Sequence, residues 1–291
     1  ARQPRAARAP ATIPATAGGM ADTDVRRVPR PAPAAAAAAQ SAHPGRQPSP
    51  VLALAGKEVR NIARDMREWS QALYLVVVMG VGFVVPFLKG GSTRFIAGAG
   101  GLYAGLGFTY VILGGLAGYL GVGAVGREGR SWPLLRSTPV TGEEVLWGKV
   151  LGVTPLVMVP GLVLTLLLGL VLGSGIRAAL LSAAFVLTVA PGLTSLNVAA
   201  GALNPNFTAR DPRQRTSGWG FLLSLLLEVG YAAVLAAGVW MMAAGSWAGA
   251  GAWLRAAGLV IVLGSSACAA AVPVALAGRH LDTREPISLH Q

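Results

Sequence analysis

Apolar residues run along this chain in long blocks broken by short polar stretches, with no sustained two-residue alternation. The blocks fall at 72–88, 95–125, 150–173, 178–203, 219–245 and 256–277, each close to or above the roughly 20 apolar residues that carry a helix across the hydrocarbon core of a bilayer. The pattern predicts an all-α polytopic membrane protein with six spans. It speaks against a barrel, whose strands would alternate. The second block is Gly-rich and longer than a bilayer needs, so a tilt, a break or a cytoplasmic extension is expected there. Pro86, Pro155, Pro160, Pro191 and Pro273 mark expected kinks, tolerable where neighbouring helices satisfy the freed carbonyls.

Ahead of the first block, residues 57–71 read KEVRNIARDMREWSQ. Val59, Ile62, Met66 and Trp69 recur at spacings of three and four, one face of a helix. Lys57, Arg60, Asn61, Arg64 and Arg67 fall opposite. Such a segment suits an elbow helix lying in the membrane interface, with Trp69 at headgroup depth. The domain reading is then a 1–50 tail or linker, a 51–280 six-helix domain and a 281–291 cytoplasmic tail.

Composition sharpens this. Of 291 residues, 53% are hydrophobic and 12% charged, too few polar groups to clothe a soluble globule of this size. Residues 1–50 are rich in Ala, Pro and Arg and are expected to be disordered. No charged, apolar and cleavage pattern opens the chain, so no secretory signal is expected, and Met20 offers an alternative start. The net charge of +12 is expected to face anionic lipid headgroups in cytoplasmic loops, with no nucleic-acid partner. With residues 57–71 cytoplasmic, that side carries Lys57, Arg60, Arg64, Arg67, Arg127, Arg130, Arg136, Lys149, Arg210, Arg213, Arg215, Arg279 and Arg284. Only Lys89, Arg94, Arg177 and Arg255 fall on the other side, which predicts both termini in the cytoplasm. Cys268 sits inside an apolar block and reads as a small packing residue. Without a second cysteine there is no disulfide or paired-Cys metal site, and the isolated His43, His280 and His290 do not suggest one.

The long polar stretch between the second and third blocks reads REGRSWPLLRSTPVTGEEVLWGK over 127–149. Ser131 is placed to cap a short helix with Pro133 in its first turn. Thr141 and Glu144 have the spacing of a capping box at the start of the third span. Between them Ser137 to Pro139 forces a corner, because the residue before proline avoids the helical region. The expectation is a short, partly apolar helix holding Trp132, Leu134 and Leu135 between two rigid arms, a shape that fits a groove in a soluble partner.

These residues resemble the coupling segment of membrane subunits of type-2 ATP-binding-cassette exporters, E-x-G-x-x-x-x-L-L-R-S-x-P-V-(S/T)-x-x-E-x-L-x-x-K. Here Glu128, Gly129, Leu134, Leu135, Arg136, Ser137, Pro139, Val140, Thr141, Glu144, Leu146 and Lys149 fill it. Lys57-Glu58 and Arg64-Asp65 in the elbow, and a Pro205-Asn206-Phe207 loop leading to Gly218, are similar to the same family. The resemblance implies a permease subunit of a bacterial inner-membrane exporter whose Glu128, Trp132, Leu134, Leu135, Arg136, Pro139 and Glu144 couple it to a cytoplasmic ATPase on another chain. It also implies a second six-helix half, either an upstream half joined by an Ala/Pro-rich linker or a second copy. No G-x-x-x-x-G-K-(S/T) phosphate loop occurs in the sequence, so the chain is expected to bind no cofactor directly and ATP is expected on the partner.

Glu228, about mid-span, is the single charge within the blocks. An ionisable group there is a candidate by default, to line a translocation path, accept a proton, or bond a neighbouring helix through Ser224 or Tyr231. Two rivals stay in view. A CAAX-type membrane protease is similar in its Glu143-Glu144 pair but wants an Arg where Gly148 stands and His residues inside the spans. A non-energised scaffold or channel-like protein predicts no ATPase partner.

Overall fold

Ser49 opens the first helix, its hydroxyl accepting the Leu52 amide at 3.4 Å with Pro50 in the first turn, where a missing N–H costs nothing. This helix, α1 (Pro50–Arg64), ends where Asp65 turns extended (φ −88°, ψ 90°). A second helix, α2 (Met66–Lys89), follows at once. The single amphipathic helix expected over 57–71 is therefore two helices. The face that α1 buries runs through Ala55, Glu58 and Ile62, one step round from the expected Val59, Ile62, Met66 and Trp69.

The computed structural model describes residues 49–89, 99–171, 175–205, 218–247 and 251–283, which lie in one compact unit. The 1–50 tail up to residue 48, the basic loop 206–217 and the tail from 284 onward lie outside the described residues.

After α2 come α3 (Ala99–Gly121), a 3-10 turn (Gly126–Ser131), α4 (Trp132–Arg136), α5 (Gly142–Val171), α6 (Gly175–Leu203), α7 (Gly218–Trp247) and α8 (Gly251–Thr283). Five of the described helices are long and apolar enough to cross a membrane. In α2, the apolar stretch over 70–82 is shorter. The long second block breaks at Gly121, which relieves its excess length. Pro155 and Pro160 sit inside α5, Pro191 inside α6 and Pro273 inside α8. The last helix runs to Thr283, past the end expected at 277.

α6 forms the middle of the bundle. From Val186 to Ala202 most of it is buried, against α3, α5, α7 and α8. Close approach depends on glycine. Gly238 and Gly258 let α7 and α8 touch through their backbones, a Cβ at Gly258 falling 2.5 Å from the Gly238 carbonyl oxygen. This is small-residue packing, the usual means by which helices associate where no hydrophobic drive separates them from lipid. The outer faces of α2 and α7 expose Leu73, Val77, Val81, Leu222, Leu226 and Val229, a surface suited to lipid. Exposed Trp219 near one end of α7, and Trp240 and Trp253 near the other end of the α7–α8 pair, suit the two headgroup layers. Cys268 is exposed on the outer face of α8; helical phase turns it away from the packed Ser266 and Ala269, so it is not the packing residue expected.

Candidate functional site

The segment from Gly126 to Gly142 is held at one end of the bundle by a buried ionic joint. Glu58 of α1, 2% exposed, accepts from Arg127 Nη2 at 2.6 Å and from Lys149 Nζ at 3.2 Å. Lys149 of α5, 3% exposed, also donates to Glu128 Oε1 at 2.8 Å. Lys57 closes the outer side at 2.6 Å from Glu128 Oε2. Burial alone pushes the Glu58 carboxyl up, but Lys149 and Arg127 outweigh it and hold the group below the ordinary carboxylate range. Two carboxylates and three cations thus tie α1, the 3-10 turn and α5 into one body.

Steric fit completes the joint. Gly148 and Gly152 lie one turn apart on α5, and a Cβ at either would come within 2.7 Å of α1, at Leu54 and Glu58 respectively. Trp132 packs against a buried cluster that includes Ala124, Val125, Leu146, Val150 and Val198. Gly129 takes φ 47° and ψ −123°, a conformation that only glycine adopts cheaply, and the chain kinks there just before α4.

The short helix itself forms as expected over Trp132–Arg136, but its caps differ at one end. Ser131 occupies the N-cap position without capping; its hydroxyl donates instead to the Glu128 carbonyl at 2.7 Å and to Glu128 Oε2 at 3.0 Å. Ser131 has helical dihedrals (φ −82°, ψ −10°) in place of the extended ones a capping residue takes, so its hydroxyl is not aimed at the helix amides. At the other end Ser137 and Thr138 donate to the Leu134 and Leu135 carbonyls at 2.7 and 2.5 Å. Pro139 then lies inside a tight turn closed by Val140 N to Thr138 O at 2.8 Å.

The capping box forms in both directions: Glu144 Oε2 accepts from Thr141 N at 2.9 Å, and Thr141 Oγ1 accepts from Glu144 N at 3.2 Å. Gly142 N also donates to Asp282 Oδ1 at 2.7 Å, joining α5 to the end of α8. Replacing Glu144 with Ala removes one arm of this box, and a loss of about 1 kcal/mol is expected. Hydrogen exchange should accelerate at Thr141 and the first turn of α5 by about fivefold while mid-helix amides are unchanged.

The joint gathers Lys57, Glu128 and Trp132 from the expected residues and presents Leu134 on its surface, 71% exposed. Leu135 is half-buried and Pro139 exposed. Arg60 and Arg64 lie exposed along α1, outside the ionic joint. The side chains of Trp69 and Arg136 lie outside the described residues. Glu58, Arg127 and Lys149 were not among the expected site residues. The pattern hint was a charge at Glu58 in helical phase with Ala55 and Ile62.

A second polar cluster lies in the bundle. Asn197 of α6 donates to Glu228 Oε1 at 2.6 Å and to the Leu193 carbonyl at 2.8 Å, while its Oδ1 accepts from Ser224. Glu228 therefore bonds its neighbour helix through Asn197, and not through the expected Ser224 or Tyr231. Tyr231 instead pairs with Ser266 at 2.7 Å. Side-chain direction explains the difference, because Ser224 and Glu228 stack one turn apart on α7 and both reach across to one amide.

The family described as Putative ATP-binding cassette matches residues 39–248, more than half of the chain and inclusive of both clusters. Its description names the cassette and not a permease subunit. No curated protein and no solved structure matches the chain.

Proposed function

We propose, from the premise that this chain belongs to the family described as Putative ATP-binding cassette, that it is the membrane-spanning permease component of an ATP-driven exporter. The premise alone names the transporter class. What favours the permease role over the ATPase role is the chain itself: the described residues build helices, five of them fit to cross a membrane, and the sequence holds no phosphate loop. ATP hydrolysis then belongs to a separate cytoplasmic chain.

The observation that carries the coupling assignment is α4, a five-residue helix with Leu134 71% exposed, presented from a joint locked by buried ions. Closure of an ATPase docked on α4 would displace the joint as a unit. Glu128 and Lys149, on opposite flanks of α4, are bonded to each other, so the displacement passes into α3, α5 and the elbow helix together. Rigid-body movement of packed helices is how such a shift alternates access to a path. The lysine and arginine distribution supports a cytoplasmic position for α4, and the exporter reading calls for the inner membrane. A second six-helix unit would complete the path.

Leu134→Asp tests the docking surface, since its side chain leaves the bundle packing untouched; Leu135, half-buried, is the less clean choice. The variant is expected to insert and purify normally while its ATPase no longer co-purifies. Co-purification at the wild-type ratio would refute the assignment.

A further inference from the structure

Where α5 begins and α8 ends, the two main chains touch, and we infer that this junction makes Asp282 a positioning residue of the coupling segment, through which movement of α4 enters α8 and, with it, α7. A Cβ at Gly142 would stand 2.6 Å from the Gly278 carbonyl oxygen, and one at Gly278 would stand 2.7 Å from Glu143 Cα and 2.9 Å from Glu143 N. Main chain seated on main chain leaves no side chain to yield, so one helix end moves only with the other. Around this seat Val274, Ala277 and Leu281 of α8 share one buried cluster with Leu146 and Val150 of α5, and Trp132 of α4 packs against that cluster.

Charge placement shows that Asp282 serves α5 and not its own helix. It lies in the last turn of α8, where the carbonyl end of the helix dipole disfavours an acid. Its Oδ1 reaches across to Gly142 N at 2.7 Å, one of the amides at the start of a helix that have no partner within it. At that end an acid is favoured. The Thr141 and Glu144 box occupies the amides of Thr141 and Glu144 themselves, which leaves the Gly142 amide to the other helix. To supply this acceptor, α8 runs past its apolar block, which ends at 277.

The coupling segment is therefore held on both sides. Before α4 stands the ionic joint, and after it the Asp282 junction. In turn α8 is fastened to α7 by the Gly238 and Gly258 backbone contact and by Tyr231 with Ser266 at 2.7 Å. A displacement of α4 thus has a second outlet, into the α7–α8 pair, beside the one that the joint gives into α3, α5 and the elbow helix.

The coupling role rests on the permease reading; the junction itself does not. Hydrogen exchange on the full chain purified in detergent tests the junction. Asp282→Ala is expected to speed exchange of the Gly142 amide by about fivefold, the loss of one hydrogen bond. Asp282→Asn keeps a carbonyl oxygen for that amide and is expected to stay near wild type. Glu144→Ala, which loosens the first turn of α5, is expected to speed exchange over 279–283 by about twofold, and to do so only while residue 282 is Asp or Asn. Unchanged exchange at Gly142 in Asp282→Ala, or no response over 279–283 to Glu144→Ala, would overturn the inference.

Coupling is read at Cys268, the single cysteine of the chain, exposed on α8 about four turns from Asp282. With an environment-sensitive dye on Cys268 and the ATPase co-purified, wild type is expected to change signal when hydrolysis is arrested by vanadate. Asp282→Ala is expected to keep the ATPase bound and lose most of that change, and Asp282→Asn to retain it. An equal change in wild type and Asp282→Ala, or none in wild type, would overturn the coupling role. Failure of wild type to co-purify any ATPase removes the permease reading and the coupling role together, while the exchange experiment still decides the junction.

Discussion

Lys149→Met is expected to lower the thermal midpoint of the purified protein by about ten degrees, from a loss on the order of 3–5 kcal/mol. The reason is position in the ionic joint. Lys149, 3% exposed, is the donor shared by Glu58 Oε2 and Glu128 Oε1. Methionine fills similar volume but leaves two buried carboxylates facing each other, each missing a partner. Removing one member of a buried network costs more than the network contributes, because the remaining charge cannot recover water. Lys57→Met makes the contrast. Its side chain is 40% exposed although it pairs with Glu128 at 2.6 Å, so screening by water reduces the pair to about 1 kcal/mol or less. Differential scanning fluorimetry of both variants reads the difference. Equal midpoints would show that the joint is not a buried electrostatic lock.

Gly201→Ala is expected to prevent recovery of folded protein. A Cβ at Gly201 would overlap the carbonyl oxygen of Val122 and lie 2.7 Å from its carbonyl carbon. Both neighbours are backbone, so no rotamer relieves the clash, and overpacking that costs about 1–3 kcal/mol in a yielding core should cost more here. Val122 begins the turn that leads from α3 into the 3-10 segment, so relief would move the base of α4. Gly230→Ala is the matched control. Nothing lies within 4 Å of a Cβ there, and alanine favours the helix by about 1 kcal/mol. Size-exclusion profiles should show a monodisperse peak for Gly230→Ala and loss of that peak for Gly201→Ala. A normal peak for both would mean that α6 and the turn are free to separate.

Local chemistry made much of this structure readable. The capping box at Thr141 and Glu144, the corner at Pro139 and the five-residue helix between them are set by neighbours within a few residues. The long apolar blocks announce helices because length and hydropathy alone decide them. Partnerships across the fold were not readable. Glu58 meets Arg127 and Lys149 over sequence separations of 69 and 91 residues, and Lys149 in isolation looks like one more headgroup-facing cation. A periodicity centred on Val59 passes beside the true buried face, because a glutamate is ordinarily assigned to water. Asn197 is not legible for a related reason: an amide in an apolar block shows its worth only when its partner on another helix is known. Ser131 illustrates the same limit, its helical backbone and its turn toward Glu128 keeping the hydroxyl from the capping role its position suggests.

The central claim is that α4 is the point at which a soluble ATPase grips this membrane domain. Placing a photo-activatable amino acid at position 134 in cells, then identifying its crosslinked product, tests it most directly. The account predicts one dominant adduct with a cytoplasmic ATPase, abolished when the probe is moved to the buried position of Leu146. Adducts with lipid or with an outer-face protein alone, and none with an ATPase, would contradict it.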